Sequence, residues 1–244
     1  MKGFVILCCL CFSAALFFPS CSTLASRSVE TWEQDTLAGR FQKRKEKKTE
    51  KEDPSYSSAE EIGKTQEKLV EGAYSILGKK SLIIRGKQFN LDCTGVVLAV
   101  YYYAGIDLAK DFSHYTGNGV NRLYSYLESK GLLYHTFFPQ PGDIIFWDNT
   151  YDRNEDKLWN DELTHVGMVV KASSWGTIDY IHHNYRKGII LERMNLKEPD
   201  VEKKSIEGEI VIINSPMRMR GSPPGPDRLA SQLYRQFGKG YETE

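Results

Sequence analysis

Between residues 143 and 214 the chain carries five short β-rich runs: DIIFW (143–147), HVGMVVKA (165–172), TIDYIHH (177–183), GIILERM (188–194) and GEIVIIN (208–214). Gly, Asn, Ser and Pro part them, as expected of strands joined by turns. What precedes them has a helical texture. Ser58-Ala59-Glu60-Glu61 has capping-box spacing, and Ile62, Leu69, Val70, Ala73, Ile76 and Leu77 recur at helical intervals before Gly78, which predicts a helix over about 59–77. Val96, Val97, Val100, Tyr101 and Ala104 fall three or four apart before Gly105, and GVNRLYSYLESK (119–130) is a third helical stretch stopped by Gly131. Helices first and a strand meander afterwards predict an α+β domain, with the helices on one side of an antiparallel sheet. Residues 215–225 read as a loop, and PDRLASQLYRQFG after it as a short amphipathic helix. No internal repeat is present.

The chain opens MKGFVILCCLCFSAALFFPSCS, with Lys2 ahead of an apolar stretch from Phe4 to Phe18. At about 15 residues it is shorter than the roughly 20 a membrane-spanning helix needs, so residues 1–20 read as a secretory signal that is removed. Cys8, Cys9 and Cys11 leave with it. Pro19-Ser20-Cys21-Ser22 resembles a bacterial lipoprotein processing site, which implies a lipid on Cys21 and a membrane-anchored protein facing the periplasm or exterior; ordinary secretion and a retained anchor are the alternatives. Residues 21–57 hold few apolar side chains and include RFQKRKEKKTEKEDPS, the composition of a disordered charged tether. A flexible coil of that length spans roughly 33 Å. Its basic cluster, Arg40 to Lys48, suits either anionic headgroups and wall polymers or plain solvent. Over the whole chain 32 basic residues balance 32 acidic ones, so charge gives no argument for a nucleic-acid partner.

Export leaves Cys93 in an unusual position. If Cys21 carries lipid, Cys93 is the single free thiol of the mature chain, which excludes a disulfide framework and a cysteine-rich zinc site. A buried small hydrophobe and a nucleophile remain. In FNLDCTGVVLAV (89–100) the cysteine falls in the first turn of the second helix, with Asp92 placed to cap it; the helix dipole there favours a thiolate, and the same N–H groups suit an oxyanion. Histidines are few: His114, His135, His165, His182 and His183. Alternation puts His165, Gly167 and Val169 on one strand face, with room for a packed helix, and Ile178, Tyr180, His182 and Asn184 on one face of the next. A histidine beside a polar group on a neighbouring strand is the arrangement of a base held in one tautomer by a third residue.

Taken in order, DCTGVV (92–97), QPGDIIFW (140–147), LTHVGMVV (163–170) and DYIHH (179–183) resemble the motifs of the NlpC-type cell-wall peptidases and the related CHAP amidohydrolases, over about residues 60–214. The resemblance implies a papain-like cysteine hydrolase of peptidoglycan stem peptides or cross-bridges, with Cys93 as nucleophile, His165 as base and His182 as the orienting residue. Asn184, on the same face, is the alternative third member. Asp92 and Gly95 are NlpC-like and Thr94 is closer to CHAP. No cofactor is required by that chemistry, which passes through an acyl-enzyme thioester that water then hydrolyses. The rival reading is a catalytically silent envelope protein that binds wall peptides or a partner through the same groove, and an acyl- or amide-transferring enzyme is a third.

Ahead of His165, the loop DNTYDRNEDKLWNDELTH places Asp152, Asn154 and Asp156 at alternate positions, as at the start of a calcium loop. Lys157 stands where that loop needs Gly, and Leu163 where it needs Glu, so calcium competes with a plain polar turn. Tyr101, Tyr102, Tyr103, Trp147 and Tyr185 are candidates to line a substrate groove or to pack on the sheet.

Overall fold

The helical intervals are helices in the structure, a computed structural model that describes residues 54–223 and 225–243, with side chains from residue 63 onward. The signal segment, Cys21 and the tether as far as residue 53 lie outside the described residues. Helix α1 spans Pro54–Ile76, so four residues expected in the tether belong to it; proline is well suited to a first helical position, where its missing N–H has no helical partner. Gly78, in the left-handed region at φ 69°, turns the chain away and donates its N–H to the Ile189 carbonyl at 2.9 Å.

Helix α2, Cys93–Ala104, begins where Asp92 accepts the Gly95 N–H at 2.7 Å and ends at Gly105, whose φ of 104° only glycine adopts cheaply. Val96, Val97, Val100 and Tyr101 are fully buried. Their burial outweighs the modest helix propensity of β-branched residues. Helix α3, Gly119–Ser129, is capped by Asn118 and buries Val120, Leu123 and Leu127. It packs so closely on the first turn of α2 that a Cβ at Gly119 would stand 2.7 Å from Thr94 Cγ2.

Ten strands follow from the remaining sequence: β1 (Leu82–Ile84), β2 (Lys87–Phe89), β3 (Leu133–Tyr134), β4 (Ile144–Trp147), β5 (His165–Ala172), β6 (Thr177–Asn184), β7 (Gly188–Asn195), β8 (Lys203–Ile206), β9 (Glu209–Ile212) and β10 (Tyr234–Gly238). The main sheet is antiparallel in the order β3-β10-β4-β5-β6-β7, while β1-β2 and β8-β9 form separate hairpins. Two expectations are corrected here. GEIVIIN does not join the main sheet: β9 pairs only with β8. The stretch expected as a C-terminal amphipathic helix instead supplies β10, which lies between β3 and β4 with Phe237 opposite both Ile145 and Tyr134. Leu229, Leu233 and Phe237 recur every four residues and mimic a helical face. Two flanking strands with open edges decide the matter.

The helices cover one face of this sheet. Ile144, Phe146, Val166, Met168, Val170 and Ile181 pack with the valines of α2, and Ile145, Trp147, Val169, Ile178, Tyr180 and Phe237 form a second core on the other face. The His165-Gly167-Val169 face therefore does not receive a helix, contrary to the expectation from its small residues. Gly167 makes room for something else: a Cβ there would lie 2.8 Å from the Ile181 carbonyl oxygen, 3.1 Å from the Trp147 ring and 3.3 Å from His182 Cβ.

Candidate active site

Two elements converge at one end of the β4-β5 ladder. Helix α2 brings Cys93 in its first turn, and β5 begins at His165, opposite Trp147 of β4. The backbone of Val166, the residue that follows His165, lies near the Cys93 sulfur. Cys93 is half-buried and in no disulfide.

Behind His165 runs a hydrogen-bonded chain. Its Nε2 lies 2.8 Å from His182 Nδ1, and His182 Nε2 lies 3.1 Å from the Glu192 carboxylate. A carboxylate only accepts, so the network assigns the His182 proton to Nε2 and leaves its Nδ1 as an acceptor. His165 then donates from Nε2. Its Nδ1 keeps a free lone pair. His182 is 1% exposed, and the Glu192 side chain 8%. Burial alone would raise the Glu192 carboxyl; the His182 hydrogen bond and charge, with Lys187 at 3.3 Å, outweigh it and hold the group below its ordinary range. The rings are also packed: Trp147 stands 5.8 Å from His165 between centroids, and its Nε1–H is fixed at 2.8 Å by the Ala230 carbonyl, just before β10.

The electrostatics differ from the expected thiolate. Burial, and after it the Asp92 carboxylate, push the Cys93 thiol up to about 11 against the opposing hydrogen bonds. Burial likewise holds the His165 imidazole well below its ordinary value, with His182 and His183 adding to the effect. Burial opposes the thiolate that the helix start was expected to favour. The resting pair is a neutral thiol and a neutral imidazole, a state in which the proton moves only when the sulfur attacks.

Asn184 does not touch either histidine: its side-chain oxygen accepts the N–H groups of Arg186 and Lys187 at 3.0 and 3.1 Å and shapes the β6-β7 turn. Asp92 serves as the helix cap. Asp152, Asn154 and Asp156 spend side-chain oxygens on the backbone N–H groups of Lys157, Asp156 and Leu158, and among the described residues no group of three or more His, Cys, Asp or Glu side chains is placed to hold a metal. Tyr101 and Trp147 are wholly buried and Tyr101 donates to the Gly142 carbonyl, so both are core rather than groove; Tyr185 remains 47% exposed.

Two neighbours escaped the sequence reading. Glu192 sits in the third strand of the site, two residues along β7 from the partner of His182, and the signal was a lone carboxylate inside GIILERM. Tyr151 lies on the loop before His165, close enough to Cys93 that the thiolate charge, after burial, raises its hydroxyl above the ordinary value. Thr150 holds that loop down through its N–H and hydroxyl, each 2.9 Å from Thr164 Oγ1. No protein-family model matches the chain, and neither a curated protein nor a solved structure matches it.

Proposed function

We propose that this protein is a papain-like cysteine hydrolase of the cell envelope that cleaves amide bonds in peptidoglycan stem peptides or cross-bridges. The observation that carries the proposal is the hydrogen-bonded chain His165–His182–Glu192, which leaves one imidazole lone pair unspent on the residue before Val166, whose backbone faces the Cys93 sulfur. In the first half-reaction Cys93 Sγ attacks the scissile carbonyl as its proton passes to His165 Nδ1. Of the first-turn N–H groups of α2, that of Gly95 is held by Asp92, and that of Cys93 itself receives the oxyanion. Collapse of the tetrahedral intermediate breaks the C–N bond; the leaving amine takes the proton from His165 and the acyl group stays on sulfur as a thioester. Water, deprotonated by the same Nδ1, then releases the acid and restores the thiol. His182 holds the tautomer that makes this possible, and Glu192 stabilises the positive charge that develops on the pair. A lipid on Cys21 and the charged tether would hold the domain at a membrane surface within reach of the wall.

A silent binder is the second reading, and the high thiol pKa favours it. The two separate on alkylation of the purified protein with iodoacetamide across pH 4–9, followed by mass spectrometry and by digestion of muropeptides. The hydrolase reading expects Cys93 to be alkylated at neutral pH about 100-fold faster than in His165→Ala, within the range of general-base assistance, and expects new amine termini in the muropeptides. Equal rates in the two proteins, with intact muropeptides, would leave the binder.

A further inference from the structure

We propose that the end of the main sheet opposite the Cys93–His165 corner is a membrane-docking face, which lays exposed aromatic side chains and an unpaired lysine on an anionic lipid surface. The inference goes beyond the hydrolase reading and does not depend on it. The turn from β5 to β6 carries Trp175, 82% exposed. Its backbone is fixed: the Gly176 N–H donates to the Ser173 carbonyl at 3.0 Å, and Asn195 Nδ2 to the Trp175 carbonyl at 3.4 Å. Phe137 and Phe138, both about half exposed, lie in the loop before β4. Phe138, Pro139 and Pro141 face Ala172, Ser173 and Ser174 across an open cavity of about 410 Å³, which joins the two loops into one surface. Lys197 completes it. Its ammonium stands 5.0 Å from the centroid of the Phe138 ring, and its Cδ lies where it would be 2.8 Å from a Cβ on Gly176, the residue after Trp175. Among the described residues no carboxylate pairs with Lys197, its neighbour Glu198 being taken by Lys204.

Composition and position both point to lipid as the occupant. An indole settles at the level of the headgroups, phenylalanine at the acyl boundary below it, and a lysine stem lies along apolar surface while its ammonium reaches phosphate. The N-terminal part of the chain joins the domain at this same end. Gln66 of α1 donates to the Pro141 carbonyl at 2.8 Å, and α1 begins about three turns earlier, at Pro54; its far end meets β7 where Gly78 donates to the Ile189 carbonyl. Residues 1–53 bring to that junction the basic cluster at 40–48, which has the same preference for anionic headgroups, and the apolar stretch at 4–18. Everything suited to lipid therefore gathers at one end of the domain. Along β5, Ala172 at this end and His165 at the other are about 23 Å apart at roughly 3.3 Å per residue, so a docked domain turns its Cys93–His165 corner away from the bilayer.

The test reads tryptophan emission of the full chain on vesicles of phosphatidylcholine and phosphatidylglycerol whose acyl chains are brominated. The apolar N-terminal stretch brings every variant to the vesicles, so the deciding quantity is whether Trp175 meets acyl chains. Trp32→Phe serves as the background, which leaves the buried Trp147, Trp159 under the Arg218 guanidinium at 4.2 Å, and Trp175. At least half of the quenching in that background should be lost on adding Trp175→Phe and regained on adding Phe138→Trp, a second reporter on the same face. Lys197→Glu should cut the quenching about twofold on the anionic vesicles and leave it unchanged on pure phosphatidylcholine. Equal quenching with and without Trp175, or none in either, overturns the docking face. It is equally overturned by a Trp175 response to soluble chitooligosaccharide with none to vesicles, which makes the patch a glycan platform, and by shielding of Trp175 from iodide before vesicles are added, which puts the chain's own N-terminal part there. Cys93→Ala should be quenched as the background is, because docking is separate from thiol chemistry.

Discussion

The two ends of the β4-β5 ladder each bury a carboxylate in a hydrogen-bonded cluster, yet they are built to opposite ends. At the Trp147–His165 end, Glu192 is reached through two imidazoles and the last ring nitrogen in the chain is unspent. At the other end Asp143, fully buried, accepts the Tyr241 hydroxyl at 3.0 Å, the Tyr134 hydroxyl and the Gln140 N–H, so both of its oxygens are occupied. The first cluster is a path along which a proton can move. The second is a lock that ties the residues before β4 to β3 and to the chain's last turn. Burial alone does not mark a candidate reacting group; a ring nitrogen whose lone pair no protein donor uses does.

Breaking the first cluster should give the largest change. Cys93→Ala should abolish muropeptide cleavage, at least 1,000-fold, with an unaltered circular dichroism spectrum. Glu192→Gln should slow Cys93 alkylation at pH 7 by about 10- to 100-fold, since a neutral amide no longer fixes the His182 tautomer. Asn184→Ala should leave that rate unchanged, and a loss there would return Asn184 to the site. At the lock, Asp143→Ala should lower stability by about 2–4 kcal/mol in urea titrations while sparing the alkylation rate, because three donors lose their acceptor.

Acid titration should sharpen the contrast, since the two ends respond with opposite sign. Burial raises the Asp143 carboxyl to about 6 in the folded state from 3.8, despite its hydrogen bonds. Its contribution is therefore complete below about pH 4 and fades as pH rises through 6, by about 3 kcal/mol at 1.36 kcal/mol per unit. His165 is held below 6.5 when folded, so its contribution is present above pH 6.5 and is lost as pH falls towards the folded value. Urea midpoints measured from pH 4 to 8 should show the first slope disappear in Asp143→Asn and the second in His165→Gln. Gly167→Ala should cost less than the loss of Asp143, about 1–3 kcal/mol from crowding the Ile181 carbonyl and the His182 side chain, accompanied by slower alkylation.

The sequence was most legible where local rules and the tertiary fold agree. Asp92 and Gly105 bound α2 as the capping pattern predicts, and the period-two runs from 165 to 195 are β5, β6 and β7 almost residue for residue. Helices on one face of an antiparallel sheet follow from that order of elements. The misses are non-local. The pairing of β10 depends on edges offered by residues about 90 to 100 positions earlier, which no window on Leu229–Phe237 contains. Glu192 became visible only once β7 lay beside β6. The thiol's electrostatics depend on burial under β5, a quantity that helix-start geometry does not convey.

The central position of β10 has a further consequence for how the protein comes into being. A chain made from its N-terminus holds β3 and β4 before residues 234–238 exist to join them. Until then the sheet has a vacant slot one strand wide, and the Ala230 carbonyl that fixes the Trp147 indole is also absent. The half-made molecule thus cannot complete the corner at Trp147 and His165, and its open edges invite any extended segment to fill the gap. The corner is completed only when β10 enters the sheet, late in synthesis. A short peptide with the sequence of β10 would compete for that step.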